Sequence, residues 1–172
     1  MFYLIRHGSA DYTEKDAKIY QGFGNHLAPL SAKGMQEIEM TAADPRLAQA
    51  RLILSPPYTR ALQSTAILSR CLQIPLQVET DLHEWLANTD YIYEDDEKAE
   101  RAYLEYTVNK GVHPAERTLN WENAQHIRKR VLAVLQKYSR YEKVAVACHG
   151  MMIQAVTGGK LPENGEIQEF EL

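Results

Sequence analysis

Apolar positions along the chain alternate between short unbroken runs and longer stretches with a period of three to four, the signatures of buried strands and of one-sided helices. Phe2 to Ile5 is such a run, followed by Arg6, His7 and Gly8 at the turn. Arg51 to Ser55 ("RLILS") and "KVAVAC", ending at Cys148, predict two more buried strands; "LQVE" from Leu76 predicts a short one and "GEIQEFEL" a last one. Between them, Met35, Ile38 and Ala42 follow helical spacing behind a capping Ser31, and Asp44-Pro45 ends that helix or starts another turn. "SPP" predicts a helix with Ser55 as its cap and prolines in its first turn, running to about Cys71. Ile127, Val131, Val134 and Tyr138 mark a further helix, and "YQGFGNHLAPLS" is a loop. With no internal repeat and no low-complexity linker, the alternation predicts an α/β protein.

Composition narrows the function classes. A chain of 172 residues, 45% hydrophobic, can bury one sizeable core, and residues 1–172 are expected to form one domain. A net charge of −4 argues against a nucleic-acid or anionic-membrane surface, so any anion-binding power is local. Cys71 and Cys148 stand far apart and form no CxxC pair, which points to a reducing compartment. The first apolar run meets Arg6 too early for a signal peptide and no run approaches the length of a membrane span, so the expected location is the cytoplasm.

The chemistry gathers at predicted strand ends. Two strands end in a basic residue and a glycine, Arg6-His7-Gly8 and His149-Gly150, and "SPPYTR" places Arg60 near the start of a helix. Ligands of open α/β sheets sit at the carboxyl ends of the strands. Helix N-termini attract anions, and arginine adds a planar donor fork matched to phosphate oxygens. Any one of these residues alone is most often a surface charge or a satisfied core histidine. If the strands are parallel neighbours, Arg6, His7, Arg60 and His149 meet in one anion pocket.

In this arrangement the chain resembles the histidine phosphatase superfamily, in the branch that contains the cofactor-dependent phosphoglycerate mutases. The matching pieces are "RHG" at 6–8, "QG" and "PLSAKG" within 21–34, "SPPYTRALQSTA" at 55–66, "LHE" at 82–84 and "CHG" at 148–150, in the family's order. The resemblance implies a three-layer α/β/α sandwich with a mostly parallel central sheet. It also implies a phosphohistidine mechanism, with His7 as nucleophile, Arg6, Arg60 and His149 on the phosphoryl oxygens, and Glu84 as general acid, then general base. Imidazole suits the first role, being a good neutral nucleophile near pH 7. Positioning and charge stabilisation by arginine need neither metal nor cofactor, and none is expected.

The match is incomplete. Many relatives continue "RHG" with Glu-Thr and later an asparagine, where this chain has Ser9, Ala10 and Thr13. Thr13 keeps a hydroxyl for the pocket, and Gln21 and Gly22 match a pocket-lining loop in which the glycine lets a backbone amide approach an oxygen. His26, His83, His113 and His126 are read as ordinary loop and helix histidines, "HEWLA" lacks the second histidine of a metalloprotease helix, and Cys148 is read as a small buried residue because Gln154 stands where a cysteine-dependent phosphatase would carry arginine.

Residues 85–121 are expected to form a lid that sets specificity, carrying Tyr91, Tyr93, Tyr103, Tyr106 and "EDDE". Tyr103 and Tyr106 have helical spacing and are expected to pack the lid onto the core, with the acidic cluster in solvent. A phosphomonoesterase acting on a small phosphorylated metabolite fits the compact chain and its short tail after His149. A mutase-type phosphotransferase and a non-catalytic phospholigand-binding module are the alternatives; intact His7 and Glu84 argue against the latter. Asp11 and Asp81 are the next acids if Glu84 is a bystander. The sequence does not fix the oligomeric state.

Overall fold

The computed structural model describes residues 1–17, 24–90, 92 and 95–172. In chain order the elements are β1 (Phe2–Arg6), α1 (Gly24–Leu27), α2 (Ala32–Ala42), β2 (Ile53–Ser55), α3 (Thr59–Leu72), β3 (Leu76–Val78), α4 (Asp96–Val108), α5 (Ala124–Lys137), β4 (Val144–Cys148), α6 (Gly150–Thr157) and β5 (Ile167–Phe170). Short 3₁₀ turns occupy Pro45–Gln49 and Thr80–Leu82.

The strands form one sheet in the order β3-β2-β4-β1-β5. All neighbours run parallel except β5, which is antiparallel to β1. Successive strand residues point to opposite faces, so β1, β2 and β4 each feed two cores, while all three residues of β3 are exposed. Phe2, Leu4, Leu54, Val144 and Val146 meet Ile127, Val131 and Val134 of α5 and Met152, Ile153 and Val156 of α6 on one face. Tyr3, Ile5, Ile53, Ala145 and Ala147 meet Ile38 of α2 and Leu68 of α3 on the other. The result is the expected three-layer α/β/α arrangement. Buried on both faces, β4 has no polar residue, which is why "KVAVAC" lacks alternation.

Local differences from the expected elements have physical reasons. Ser31 does cap α2, accepting from the Gly34 N–H at 3.0 Å, but Met35 stands exposed because the inward face runs through Gly34 and Ile38. Ser55 does not cap α3; it ends β2, its hydroxyl donates to the Pro56 carbonyl at 2.9 Å, and the helix starts at Thr59 with Tyr58 at the cap position. Ser55 and Pro56 each precede a proline, which disfavours helical backbone at both. Asp44-Pro45 starts a 3₁₀ turn, with the Arg46 N–H bonded to the Asp44 carboxylate. The acidic cluster opens α4: Asp95 accepts from the Lys98 N–H at 2.8 Å, and Asp96 and Glu97 lie in the first turn, where the helix dipole favours negative charge.

Tyr106 is buried with its ring against Trp85 and Trp121, at 5.6 and 5.3 Å between centroids, while the half-exposed Tyr103 contacts Trp85. Both therefore pack α4 onto the core; Tyr91 and Tyr93 lie outside the described residues. Among the described residues no helix is long and apolar enough to cross a membrane.

Candidate active site

The carboxyl ends of the parallel strands deliver the site. β1 and β4 are in register to Arg6 opposite Cys148, and the His7 N–H extends the pairing to the Cys148 carbonyl at 2.9 Å, so His7 and His149 leave the sheet side by side. Their rings lie 5.2 Å apart, edge to face. β2 leads through the two prolines to Arg60 in the first turn of α3, and β3 leads through the 3₁₀ turn to Glu84.

Gly8 follows His7 because no side chain fits there: a Cβ would stand 2.2 Å from the Gly34 carbonyl oxygen, and one on Gly34 would stand 2.1 Å from that of Ser9. Ser9 is used structurally, since its N–H and hydroxyl both donate to the Glu37 carboxylate, at 2.7 and 2.9 Å. Gly150 likewise leaves room for Arg6, whose Nε would lie 3.2 Å from an added Cβ.

Hydrogen bonds fix both histidine tautomers. His7 Nδ1 faces the Gly8 carbonyl at 2.7 Å and so carries the proton; its Nε2 accepts from Arg60 Nε at 3.1 Å and is the lone-pair nitrogen. Arg60 Nη2, which can only donate, approaches His149 Nδ1 at 3.4 Å, so the His149 proton sits on Nε2. That Nε2 is buried without a partner, and so is Arg6 Nε. Arg6 is anchored through Nη1 to the Pro162 carbonyl at 2.7 Å, and Arg60 through Nη1 to the Asn25 carbonyl. Buried donors without acceptors are rare and costly, and these two are donors that an incoming anion would satisfy.

Electrostatics keep the imidazoles neutral. Burial first, then the Arg60 charge, lowers His7 to a pKa of about 3, and the same two causes push His149 well below the ordinary histidine value. Glu84 is shifted the other way: burial raises its carboxyl, against the opposing pull of the Trp85 amide, the Arg60 charge and the Met152 and Met151 amides. Its Oε1 accepts from the Trp85 N–H at 2.9 Å and the Met152 N–H at 3.2 Å, which places the carboxyl at the start of α6. A carboxyl so held can carry a proton at a higher pH than a free one.

Of the residues singled out in the sequence, the structure gathers His7, Arg60 and His149 into one hydrogen-bonded cluster, places the Arg6 charge where it acts on His7, and sets Glu84 within electrostatic reach of Arg60. Thr13 does not join them: it is exposed, and its N–H and hydroxyl both donate to Asp11 Oδ1, at 2.9 and 2.8 Å. Those bonds hold Asp11 below the usual carboxylate range, which suits it poorly to donate a proton. Gln21 and Gly22 lie outside the described residues.

Three further neighbours join the site: Tyr58, not singled out in the sequence, and His26 and His83, read there as ordinary histidines. Tyr58, two residues before Arg60, stacks between His26 and His149 with centroids at 4.5 and 5.0 Å, and lies under the Arg60 guanidinium. His83 donates from Nδ1 to the Glu84 carbonyl at 2.7 Å and lies within electrostatic reach of His26 and His149. The signal for Tyr58 and His83 was nearness in sequence to Arg60 and Glu84, and His26 carried none. Cys148 is buried with its thiol pushed up by burial, in keeping with a packing role. Among the described residues no group of three or more His, Cys, Asp or Glu side chains could hold a metal ion.

The chain belongs to the histidine phosphatase superfamily (branch 1), whose family model matches residues 2–170. Solved structures with the same fold include Bacillus stearothermophilus YhfR, at 19% identity and a TM-score of 0.66, covering 91% of this chain and 77% of that one. A mycobacterial glucosyl-3-phosphoglycerate phosphatase in complex with VO3 is similar at 18% identity and a TM-score of 0.63, covering 91% and 78%. A protein described as mycobacterial hydrolase 1 matches at 17% identity and a TM-score of 0.65, again covering 91% and 78%. No curated protein matches the chain in sequence.

Proposed function

We propose that the protein is a metal-independent phosphomonoesterase that hydrolyses a small phosphorylated metabolite through a phosphohistidine on His7. One observation carries this reading: a neutral imidazole with its Nε2 lone pair held by Arg60 stands beside the unpartnered donors Arg6 Nε and His149 Nε2. Membership of the superfamily and the phosphatase among the similar structures support it.

The chemistry follows from the atoms. An incoming phosphoryl group takes the Arg60 N–H bonds in place of His7 Nε2 and receives further donors from Arg6 and His149, which frees the lone pair as it aligns the phosphorus. His7 Nε2 then forms a bond to phosphorus while the ester P–O bond breaks, and Glu84 gives its proton to the departing oxygen. In the second half, the Glu84 carboxylate takes a proton from water, the water oxygen bonds to phosphorus, and the N–P bond breaks to restore neutral His7. Two easier displacements replace one hard hydrolysis. The guanidinium groups supply the charge stabilisation that a metal gives elsewhere. Residues 85–121, anchored by Trp85 and Tyr106, are the proposed lid against the organic part of the substrate.

The test is phosphate release from a panel of phosphorylated metabolites after dialysis against a chelator. The expected result is release that survives chelation and is competed by vanadate. Activity lost on chelation and restored by a divalent ion would contradict metal independence, and transfer to a second metabolite without free phosphate would assign a mutase.

A further inference from the structure

Arg130 of α5 reaches back to the segment that carries Glu84. Its Nη1 donates to the Asp81 carbonyl at 2.6 Å and its Nη2 to the Glu84 carbonyl at 3.4 Å. The same guanidinium grips the Glu122 carboxylate with both prongs, Nε to Oε1 at 2.7 Å and Nη2 to Oε2 at 2.9 Å. Only 13% and 7% of the two side chains is exposed, so the pair is nearly out of water. Glu122 is tied to the stretch after Glu84 as well: its carbonyl accepts from Trp85 Nε1 at 2.8 Å, and its N–H donates to the Leu86 carbonyl at 2.9 Å. The backbone on both sides of Glu84 is thus fastened to one buried ion pair.

We infer that Arg130 and Glu122 are positioning residues for Glu84, fixing its backbone for proton transfer and cancelling a cation that would otherwise act on its carboxyl. The inference rests on the proposed role of Glu84 as acid. A buried ion pair contributes little net stability against an apolar pair of similar size, so geometry is the better reason for keeping one here. The second half follows from what surrounds Glu84. Arg60 faces it from α3, Tyr58 from the turn before α3, Tyr106 from α4 and Cys148 from β4. His83 and Asp81 share its own segment. The two tyrosines are held neutral to a pKa of about 12 and burial pushes the Cys148 thiol up, while His83 is held below the ordinary histidine value, first by burial. Removing the Glu122 charge therefore changes the field at Glu84 by unmasking Arg130 while these four groups stay neutral.

The experiment compares an alkyl phosphate, which needs a proton on its leaving oxygen, with nitrophenyl phosphate, which does not, using the initial burst of leaving group. Arg130→Lys keeps the charge but cannot span four acceptors. It is expected to lose about 10- to 100-fold on the alkyl ester and less than about threefold on the aryl ester, since small misplacements of a catalytic group cost on this order. Glu122→Gln is expected to move the alkaline limb of the alkyl-ester pH profile to lower pH, and Glu122→Gln combined with Arg130→Met to return the limb while the alkyl ester stays slow. Equal losses on both esters, or an unmoved limb in a folded Glu122→Gln protein, would overturn the inference. Glu84→Gln separates the two readings: a loss confined to the alkyl ester upholds Glu84 as the acid whatever the Arg130 variants do, and an equal loss on both esters removes the acid and its positioning together.

Discussion

At the scale of single residues, Arg60 does the most with one side chain. Its three guanidinium nitrogens point to His7 Nε2, His149 Nδ1 and the Asn25 carbonyl, so it sets both tautomers as it waits for an anion. An ammonium group offers the charge without the planar fork. Arg60→Lys is expected to lower kcat/KM by about 10²- to 10³-fold, the usual effect of removing a preorganised donor, and to weaken vanadate inhibition in parallel; rates within threefold of wild type would contradict the clamp. Arg6, His7, Arg60 and His149 were legible because each closes a strand or opens a helix, and the parallel alternation of elements brings such ends together. The tautomers, and the unpartnered nitrogens of Arg6 and His149, were not legible, because they depend on ring orientation and on Arg60, which is distant in sequence from both histidines. Thr13 stands apart because a local bond wins: its hydroxyl and N–H are taken by Asp11 two residues earlier.

At the scale of elements, the junction of β1 with α2 holds the nucleophile in place. Gly8 and Gly34 meet backbone to backbone, the Ser31 N–H and hydroxyl both donate to the Ser9 carbonyl at 2.9 and 3.0 Å, and the Gly8 N–H reaches Ser64 of α3 at 3.2 Å. Gly34→Ala puts a methyl against backbone that cannot rotate away. It is expected to cost about 1–3 kcal/mol or more by urea unfolding, as overpacking does, and to reduce activity by shifting the His7 loop; unchanged stability would contradict the close approach. β1, β2 and β4 were legible because apolar runs survive burial on both faces, whereas β3, exposed along its length, was legible only as a short β-forming stretch. The cap of α3 was misread because "SPP" carries two messages, a capping serine and a restriction before proline, and the second prevailed. α6 was not anticipated, since the apolar run "MMIQAV" after His149 has no period that separates a buried helix from a strand. Glu84 was placed by resemblance alone, and its hold on the α6 amides could not be read without that helix.

At the scale of the whole molecule, four loops from separate parts of the chain close around buried neutral imidazoles, and stability carries the cost. An unfolded histidine takes up a proton below about pH 6.5, whereas folded His7 resists until about pH 3, so the unfolded state binds more protons and stability falls with pH across that window. For His7 alone this amounts to about 2 kcal/mol between pH 7 and pH 5. His149 acts in the same direction, and Glu84, whose folded form holds its proton more tightly, opposes it. Carboxylates held below their usual range, among them Glu37, Glu79 and Glu166, contribute stability that is lost only at lower pH. Chemical denaturation at pH 7 and pH 5 should therefore show a clear loss on acidification; equal or greater stability at pH 5 would contradict neutral buried histidines. The convergence of these loops is there, on this account, to make and break one bond between phosphorus and His7 Nε2. Its most direct test is to mix the protein with a substrate labelled in the phosphoryl group, denature it within the turnover time, and map the label. An acid-labile label on His7 that is absent from His7→Ala is expected, and a label that persists in His7→Ala, or turnover by the wild type with no labelled protein, would contradict a phosphohistidine mechanism.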